Sequence, residues 1–209
     1  MKFFLLLLFL LPTLQASEPV LILASDSIPP YVMGNEPHAK DLPGLQVEIV
    51  DSAFAKVGIK TQWRTMPNHR LALQYKQEDV DAALNLPDLT KVETFSSRDI
   101  FNEIFGDGVL AANKNFNEVT SQKTIAYHAV HGRVDLVLSD ALVFAYYAQT
   151  YFNPQYKRSD LVCLHELQVA RHLGFKNQIL RDRFDKGLEQ IRKDGTYDAL
   201  MKKYREKFS

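Results

Sequence analysis

Early in the chain, short apolar runs alternate with longer segments of helical period, and few folds accommodate that order. The strand-like runs are residues 20–24, 59–63 and 80–84. Between them, residues 44–57 and 70–77 carry apolar side chains at helical spacing. Alternating strands and helices of these lengths predict a parallel α/β sheet covered by helices.

A helix–strand unit at residues 73–85 has a counterpart at residues 125–139. The first unit ends in Val-Asp-Ala-Ala-Leu-Asn and the second in Val-Asp-Leu-Val-Leu-Ser. The match is short, so chance similarity within one α/β protein and the presence of two related lobes both stay open as explanations. The pattern predicts a strand at residues 134–139. Residues 113–121 are polar and show neither the helical nor the strand periodicity, which suits a connection between lobes.

The C-terminal part is predicted to be helical. One apolar stripe at helical spacing runs from Ile179 to Ile191, Gly195 ends it, and a second stripe runs from Tyr197 to Tyr204. Acidic residues are interspersed with the basic ones opposite these stripes. We therefore expect the helices to pack on a sheet, with a helix on a membrane surface as the alternative.

Composition and charge exclude several classes of function. Twenty-five basic residues balance twenty-five acidic ones, so no net field draws the chain to nucleic acid. The single cysteine, Cys163, has no partner for an intramolecular disulfide or a thiolate metal cluster. His128 and His131 lie three residues apart in a predicted helix, but no carboxylate or cysteine spacing supports a metal site, so we predict no metal and no cofactor.

Residues 1–16 have the pattern of a secretory signal peptide. Lys2 precedes an apolar run at residues 3–11, and the small residue Ala16 follows at a cleavage-site distance. The apolar run is too short to span a bilayer. We expect cleavage after Ala16 and a mature, soluble chain that begins near Ser17 and acts outside the cytoplasm.

Several motifs, and the order in which they follow one another along the chain, resemble those of the extracellular solute-binding proteins of family 3, which bind amino acids. The segments that carry the resemblance are residues 22–26 with Pro29-Pro30-Tyr31, residues 44–50, 79–84, 95–101, 132–147 and 187–204. Each motif alone is moderately specific, and the resemblance covers nearly all of the mature chain. The family identification therefore rests on the order of the motifs.

The resemblance implies a type II periplasmic-binding-protein-like α/β fold, in which two α/β lobes joined by a hinge close over a solute. Lobe 1 would comprise residues 17–112 plus 157–209, and lobe 2 would comprise residues 113–156. The family implies a periplasmic, monomeric protein that captures a small polar, amino-acid-like solute. It would deliver that solute to an ABC transporter of the inner membrane or to a sensor.

The chain departs from the family pattern at two places. Residues 80–97 contain no arginine, although the family takes from this segment the arginine that grips the ligand carboxylate. Arg70 and Arg98 are the neighbouring candidates. In the second lobe, residues 117–121 lead directly into a helix at residues 122–131, so roughly one strand and one helix are missing. We therefore predict a truncated second lobe.

Four residues are predicted to bind the ligand, and the resemblance supplies most of their roles. Tyr31 would stack on the ligand, Arg70 would supply a positive charge, and Asp140 would pair with an ammonium group. Asn85, at the end of the first Val-Asp run, completes the set. The alternatives are a rim aromatic for Tyr31, a surface arginine for Arg70, and a simple helix N-cap for Asp140.

No catalytic motif occurs in the sequence. It contains no Gly-x-Ser-x-Gly, no phosphate-binding loop and no His-Glu-x-x-His. We therefore predict a binding protein and not an enzyme. Two alternatives stay open, namely a shortened paralogue that no longer binds a solute and a cyclohexadienyl dehydratase-like enzyme on the same fold.

Overall fold

The computed structural model describes residues 19–25, 28–77, 80–85, 95–96, 101–106, 119, 121–157 and 166–208. The predicted signal peptide, Arg98, Cys163 and most of the predicted lobe connection lie outside these residues. The helices and strands of the described residues are, in chain order, β1 (Val20–Ser25), α1 (Leu45–Lys56), β2 (Thr61–Met66), α2 (Asn68–Gln77), β3 (Ala82–Leu84), β4 (Phe95–Ser96), β5 (Phe101–Gly106), α3 (Gln122–Val130), α4 (Ala141–Tyr147), a π-helical turn (Ala148–Phe152), β6 (Glu166–Arg171), β7 (Leu173–Phe175), α5 (Gln178–Lys193) and α6 (Thr196–Lys207).

The larger sheet has the strand order β2-β1-β3-β7-β4. Strand β1 is parallel to β2 and to β3, whereas β7 is antiparallel to both β3 and β4. The predicted parallel sheet is therefore confirmed for β1, β2 and β3 and wrong for β7, which returns to the sheet from late in the chain. Strands β5 and β6 form a separate antiparallel pair.

Side chains of β1 alternate between two cores on opposite faces of the sheet, because successive residues of a strand point to opposite sides. Ile22 and Ala24 belong to the larger core, which includes residues of α1 and α5. Leu23 belongs to a smaller core with Leu71 and Tyr75 of α2. All five side chains are fully buried. The predicted arrangement of a sheet covered by helices is confirmed.

Helix α1 agrees with its predicted segment because glycines with positive φ angles lie at both ends. The φ angles are 126° at Gly44 and 71° at Gly58. Strand β2 instead begins two residues later than predicted and extends to Met66. Its pairing with β1 runs the whole length of that strand, from the pair Val20–Thr61 to the pair Ser25–Met66, and this pairing sets its ends.

Helix α5 packs closely on α1 at Gly187. A side chain at Gly187 would collide with the backbone carbonyl of Ala53, so only glycine permits this approach. Phe184 and Leu188 are buried as the apolar stripe predicted. Ile179 is 73% exposed, because the first turn of α5 lies outside the core, and its predicted burial was wrong.

The segment 121–157 contains α3, α4 and the π-helical turn, and the strand predicted at residues 134–139 is wrong. Residues 134–138 adopt neither helix nor strand, and Val134, Leu136 and Leu138 are 38–43% exposed. A strand needs a neighbour for its backbone groups, and none of the described strands pairs with this run. No helix among the described residues has both the length and the apolar composition needed for a membrane span.

Candidate functional site

The carboxyl ends of β1, β2 and β3 lie at the same edge of the larger sheet, because the three strands are parallel. The chain continues from β1 into the turn that contains Tyr31, from β2 into the helix that contains Arg70, and from β3 directly into Asn85. Ligands of open α/β sheets bind beyond the carboxyl ends of the strands. Three of the four predicted site residues therefore follow strands that end at this edge.

Tyr31 is held in place by the start of α1. Gly44, the N-cap, has no side chain to satisfy the first amides of the helix, so backbone carbonyls accept them instead. Leu45 N–H donates to the Pro30 carbonyl at 3.0 Å, and Gln46 N–H donates to the carbonyl of the next residue, Tyr31, at 3.0 Å. A side chain at Gly44 would collide with the Tyr31 backbone. As a result, Tyr31 lies buried against the helix.

Asp140 is the N-cap of α4. Its Oδ1 accepts the backbone N–H groups of Leu142 at 2.9 Å and Val143 at 2.8 Å, which confirms the N-cap interpretation. Its Oδ2 accepts the Tyr31 hydroxyl at 2.9 Å. Tyr31 and Asp140 are only 4% and 3% exposed, so this hydrogen bond between distant parts of the chain is buried.

The electrostatic environment of Asp140 disfavours its charged form. Burial removes water from the carboxylate and raises its pKa above the usual value. Hydrogen bonds from Val143, Tyr31 and Leu142, and the positive charge of Arg171, offset part of this rise. A further positive charge beside Asp140 would stabilise the carboxylate.

Arg171 was not identified from the sequence, although it lies beside the site. It is the last residue of β6 and is half-buried. The next residue, His172, accepts the backbone N–H of Asn85 through its carbonyl at 3.2 Å. The positive charge of Arg171 also acts on Asp140. The signal in the sequence was an arginine next to the apolar run that begins at Leu173.

Asn85 is paired with Gln46, a second residue that the sequence did not identify. Gln46 Nε2 donates to Asn85 Oδ1 at 3.3 Å, and Asn85 Nδ2 donates to Gln46 Oε1 at 3.1 Å. The φ angle of Asn85 is 49°, a left-handed conformation that asparagine tolerates better than most residues. Gln46 is fully buried, and its signal was a polar residue beside Leu45 in the apolar stripe of α1.

Arg70 takes no part in the hydrogen bonds that hold the other predicted residues. It is exposed in the first turn of α2, and none of the hydrogen bonds described at the site involves its side chain. The structure thus joins Tyr31 to Asp140 and fixes Asn85 through Gln46. The ligand-binding role of all four predicted residues, including Arg70, stays a prediction.

A second polar contact joins the turn after β1 to the region of α4. Glu36 Oε2 accepts the hydroxyl groups of Tyr146 at 2.9 Å and Tyr151 at 2.7 Å, and we name this arrangement the Glu36 contact. Burial, followed by the hydrogen bond to Glu36 and the negative charge of Glu36, raises the pKa of Tyr151 to about 12. Tyr146 also packs on Phe208 of the C-terminus, with ring centroids 5.4 Å apart. Helix α4 therefore shares a core with the larger sheet.

The fold and the site together define the class of protein. A mixed α/β sheet, an antiparallel strand pair and a smaller helical part, with polar residues from both parts meeting at the sheet edge, are features of a type II periplasmic-binding fold. The sequence profile of the bacterial extracellular solute-binding proteins, family 3, matches residues 20–207. The chain belongs to that family, and the predicted family and fold class are confirmed.

Solved structures with the same fold cover almost all of this chain. A periplasmic His/Glu/Gln/Arg/opine family-binding protein from Silicibacter pomeroyi, in complex with lysine, is 15% identical with a TM-score of 0.63, over 91% of this chain and 99% of that chain. The arginine-, lysine-, histidine-binding protein ArtJ from Geobacillus stearothermophilus is 17% identical with a TM-score of 0.59, over 92% and 97%. A histidine kinase sensor domain with similarity to periplasmic binding proteins is 14% identical with a TM-score of 0.61, over 90% and 96%. No curated protein matches by sequence comparison.

Proposed function

We propose that this chain captures a small polar, amino-acid-like solute at the edge of the larger sheet. The hydrogen bond between Tyr31 and Asp140 is the observation that carries the proposal. It brings a buried aromatic side chain and a buried carboxylate from two parts of the chain to the edge where ligands of such sheets bind. Two structural neighbours were solved with lysine or are named for binding arginine, lysine and histidine, which supports an amino-acid-like solute.

An ammonium group of the solute would replace the Tyr31 hydroxyl at Oδ2 of Asp140. Oδ1 would keep its hydrogen bonds to the first amides of α4, so the helix would stay capped. Charge-assisted hydrogen bonds are stronger than neutral ones, and the ammonium charge would offset the cost of burying the carboxylate. The freed Tyr31 ring would then pack on the solute, with Asn85 supplying a further polar group.

A shortened paralogue that no longer binds a solute is the second candidate, and the same contacts favour it. The Tyr31–Asp140 hydrogen bond and the Glu36 contact join the two parts of the chain through the protein's own side chains. A solute must displace the first of these contacts, which lowers its apparent affinity. In this second candidate, Asp140 serves only as the N-cap of α4.

The remaining parts of the proposal concern location and partners. Residues 1–16 would direct export to the periplasm, where the protein would act as a monomer. Delivery would be to an ABC transporter of the inner membrane or to a sensor, and the similarity to a histidine kinase sensor domain supports the second destination. A binding role is proposed over a dehydratase-like activity because the family is named for solute binding.

Thermal unfolding of the purified chain with a panel of amino acids, polyamines and small carboxylates tests the proposal. A compound that binds the native state raises the free energy of unfolding, and with it the melting temperature, by mass action. At a concentration of one hundred times its Kd, the free energy of unfolding rises by about 2.7 kcal/mol. Asp140→Asn should abolish that shift, whereas Asp198→Asn, which changes an exposed aspartate of α6, should retain it. A cooperative transition that no compound raises would support the non-binding paralogue.

A further inference from the structure

The C-terminal end of α6 contacts both sides of the Tyr31–Asp140 hydrogen bond. We propose that Tyr204, in the last turn of this helix, and Phe208, its C-cap, are positioning residues for that hydrogen bond. Tyr204 holds the turn that contains Tyr31, and Phe208 holds α4, which Asp140 caps. The inference goes beyond solute capture, because the protein's own side chains make the contact that it concerns.

Tyr204 supplies a hydrogen-bond acceptor that the start of α1 lacks. In a capping box, a glutamate or glutamine three residues after the N-cap accepts the N-cap N–H, but that position of α1 is Val47. The hydroxyl of Tyr204, 160 residues away in the chain, accepts the Gly44 N–H at 3.0 Å instead. Both the hydrogen bond and the Tyr204 side chain are buried. Loss of the hydroxyl would therefore leave the Gly44 N–H without its acceptor.

The orientation of the Tyr204 hydroxyl is fixed by a neighbouring ion pair. Burial, followed by the hydrogen bond to Glu48 and the negative charge of Glu48, raises the pKa of Tyr204. Lys203 Nζ lies 2.8 Å from both carboxylate oxygens of Glu48 and keeps that carboxylate in place. Since a tyrosine hydroxyl has one proton and donates it here to Glu48, its oxygen is left to accept the Gly44 N–H.

The backbone around Gly44 transmits this restraint to Tyr31. The two residues after Gly44 donate to the carbonyls of Pro30 and Tyr31, and Met33 N–H donates to the carbonyl of Pro43 at 3.0 Å. The turn that contains Tyr31 is thus bonded to the chain on both sides of Gly44. The Gly44 backbone also lies too close to that of Tyr31 to admit a side chain. A shift of Gly44 must therefore move Tyr31 relative to Asp140.

Phe208 acts on the other side of the contact. It follows Tyr204 by one helical turn, and its N–H donates to the Tyr204 carbonyl at 3.2 Å. Its ring meets the ring of Tyr146 in α4 edge to face, with centroids 5.4 Å apart. Phe208 is almost fully buried and Tyr146 is fully buried. One end of α6 therefore restrains both partners of the Tyr31–Asp140 hydrogen bond.

Amide hydrogen exchange of the purified chain, resolved by NMR and measured without added solute, tests the proposal. The readout is the exchange rate of α4 amides at residues 144–147 divided by that of β1 amides at residues 22–24, which reports opening of α4 separately from opening of the sheet. Tyr204→Phe should raise this ratio roughly tenfold, as for one buried amide left without an acceptor. Phe208→Ala should raise it by about as much through loss of the aromatic pair.

Two further substitutions in α6 are the matched controls. Tyr197→Phe removes a hydroxyl that interacts with Arg192 on α5, away from Gly44. Met201→Ala removes a partly buried apolar side chain that packs against the larger core. Both change the same helix as the test variants but remove neither the Tyr204 hydroxyl nor the Phe208 ring. The ratio of the exchange rates should stay at its wild-type value in both controls.

A Tyr31→Phe background separates positioning from general stabilisation. This substitution removes the hydroxyl that bonds to Asp140, so Tyr204 then has no hydrogen bond left to position. Adding Tyr204→Phe to Tyr31→Phe should change the ratio by less than about twofold, because the two residues act through one contact. Adding Phe208→Ala should still raise it roughly tenfold, since Phe208 acts through Tyr146.

The outcomes are independent of the proposed function, because no solute is added. A ratio that Tyr204→Phe leaves unchanged, or raises equally with and without the Tyr31 hydroxyl, would overturn positioning by Tyr204. An unchanged ratio in Phe208→Ala would overturn the role of Phe208. If these variants do not fold, Glu48→Gln, which weakens the partner of the Tyr204 hydroxyl, and Phe208→Leu, which lacks the ring, replace them. A raised ratio in each replacement supports the inference, and an unchanged ratio overturns it.

Discussion

Residues 80–85 and 134–139 share a Val-Asp pattern and have opposite environments. In the first run, Ala82 and Leu84 are buried in β3, which lies between β1 and β7. In the second run, Val134, Leu136 and Leu138 are each more than one-third exposed and belong to no strand. The apolar pattern gives both runs a tendency to extend, but only the run with strands on both sides becomes part of a sheet.

The larger sheet with its connecting helices, which we call the first region, and residues 121–157, which we call the second region, also differ in how their helices are positioned. In the first region, the sheet fixes the helices that connect its strands. In the second, α4 is fixed by contacts with the first region, through the Tyr31–Asp140 hydrogen bond, the Glu36 contact and the packing of Tyr146 on Phe208. The second region thus depends on the first for its order, and each prediction below tests one part of that dependence.

Truncation of a leucine in each run should give the largest difference between the regions. Leu84→Ala removes a fully buried side chain and should lower the free energy of unfolding by about 2–5 kcal/mol. Leu136→Ala removes a side chain that is 43% exposed and should cost less than about 1 kcal/mol. Urea unfolding monitored by circular dichroism measures both. Equal costs would mean that residues 134–138 are covered in solution.

Substitution of Gly44 should displace Tyr31 and thereby weaken its hydrogen bond to Asp140, which joins the two regions. Gly44→Ala forces a side chain onto a backbone with a φ angle of 126° and into the backbone of Tyr31, so we expect a loss of about 2–4 kcal/mol. Gly58→Ala is the matched control, because Gly58 also has a positive φ angle but faces open space. It should cost about 1 kcal/mol. If thermal melts show the two variants to be equally stable, the turn that holds Tyr31 is not fixed by α1.

Loss of the Glu36 contact should loosen the second region without affecting the sheet. Glu36→Ala removes the acceptor of two tyrosine hydroxyl groups and should cost about 1–2 kcal/mol. The pKa of Tyr151, now about 12, should fall toward the usual tyrosine value, as measured by absorbance at alkaline pH. Glu189→Ala, which removes a surface ion pair with Lys193 on α5, should cost no more than about 0.5 kcal/mol and leave the tyrosine titration unchanged.

The sequence predicted those elements whose ends and faces are encoded locally. Helix α1 has its apolar stripe between two glycines, and the signals for Tyr31 and Asp140 lay in motifs that the structure brings together. The strand at residues 134–139 failed because a local pattern does not reveal whether a neighbouring strand exists. Arg171 and Gln46 were missed because their positions depend on strand and helix contacts between residues far apart in the chain. The direction of β7 was missed for the same reason.

The smallest expected effect concerns the charge state of Asp140. Burial raises its pKa in the folded state, so folding favours the protonated carboxyl. The resulting stabilisation is fully present below the unfolded pKa of about 3.9 and is lost as pH rises through the folded pKa. Asp140→Asn is neutral throughout and keeps an oxygen for the amides of α4. Relative to this variant, the wild-type chain should therefore lose stability as pH rises above the unfolded pKa. Tyr31 and Arg171, which both act on the carboxyl of Asp140, are the same in both proteins, and urea unfolding at several pH values measures the difference. A wild-type chain that instead gains stability as pH rises would mean that its hydrogen bonds and Arg171 outweigh burial, and that the second region is held by an ionised carboxylate.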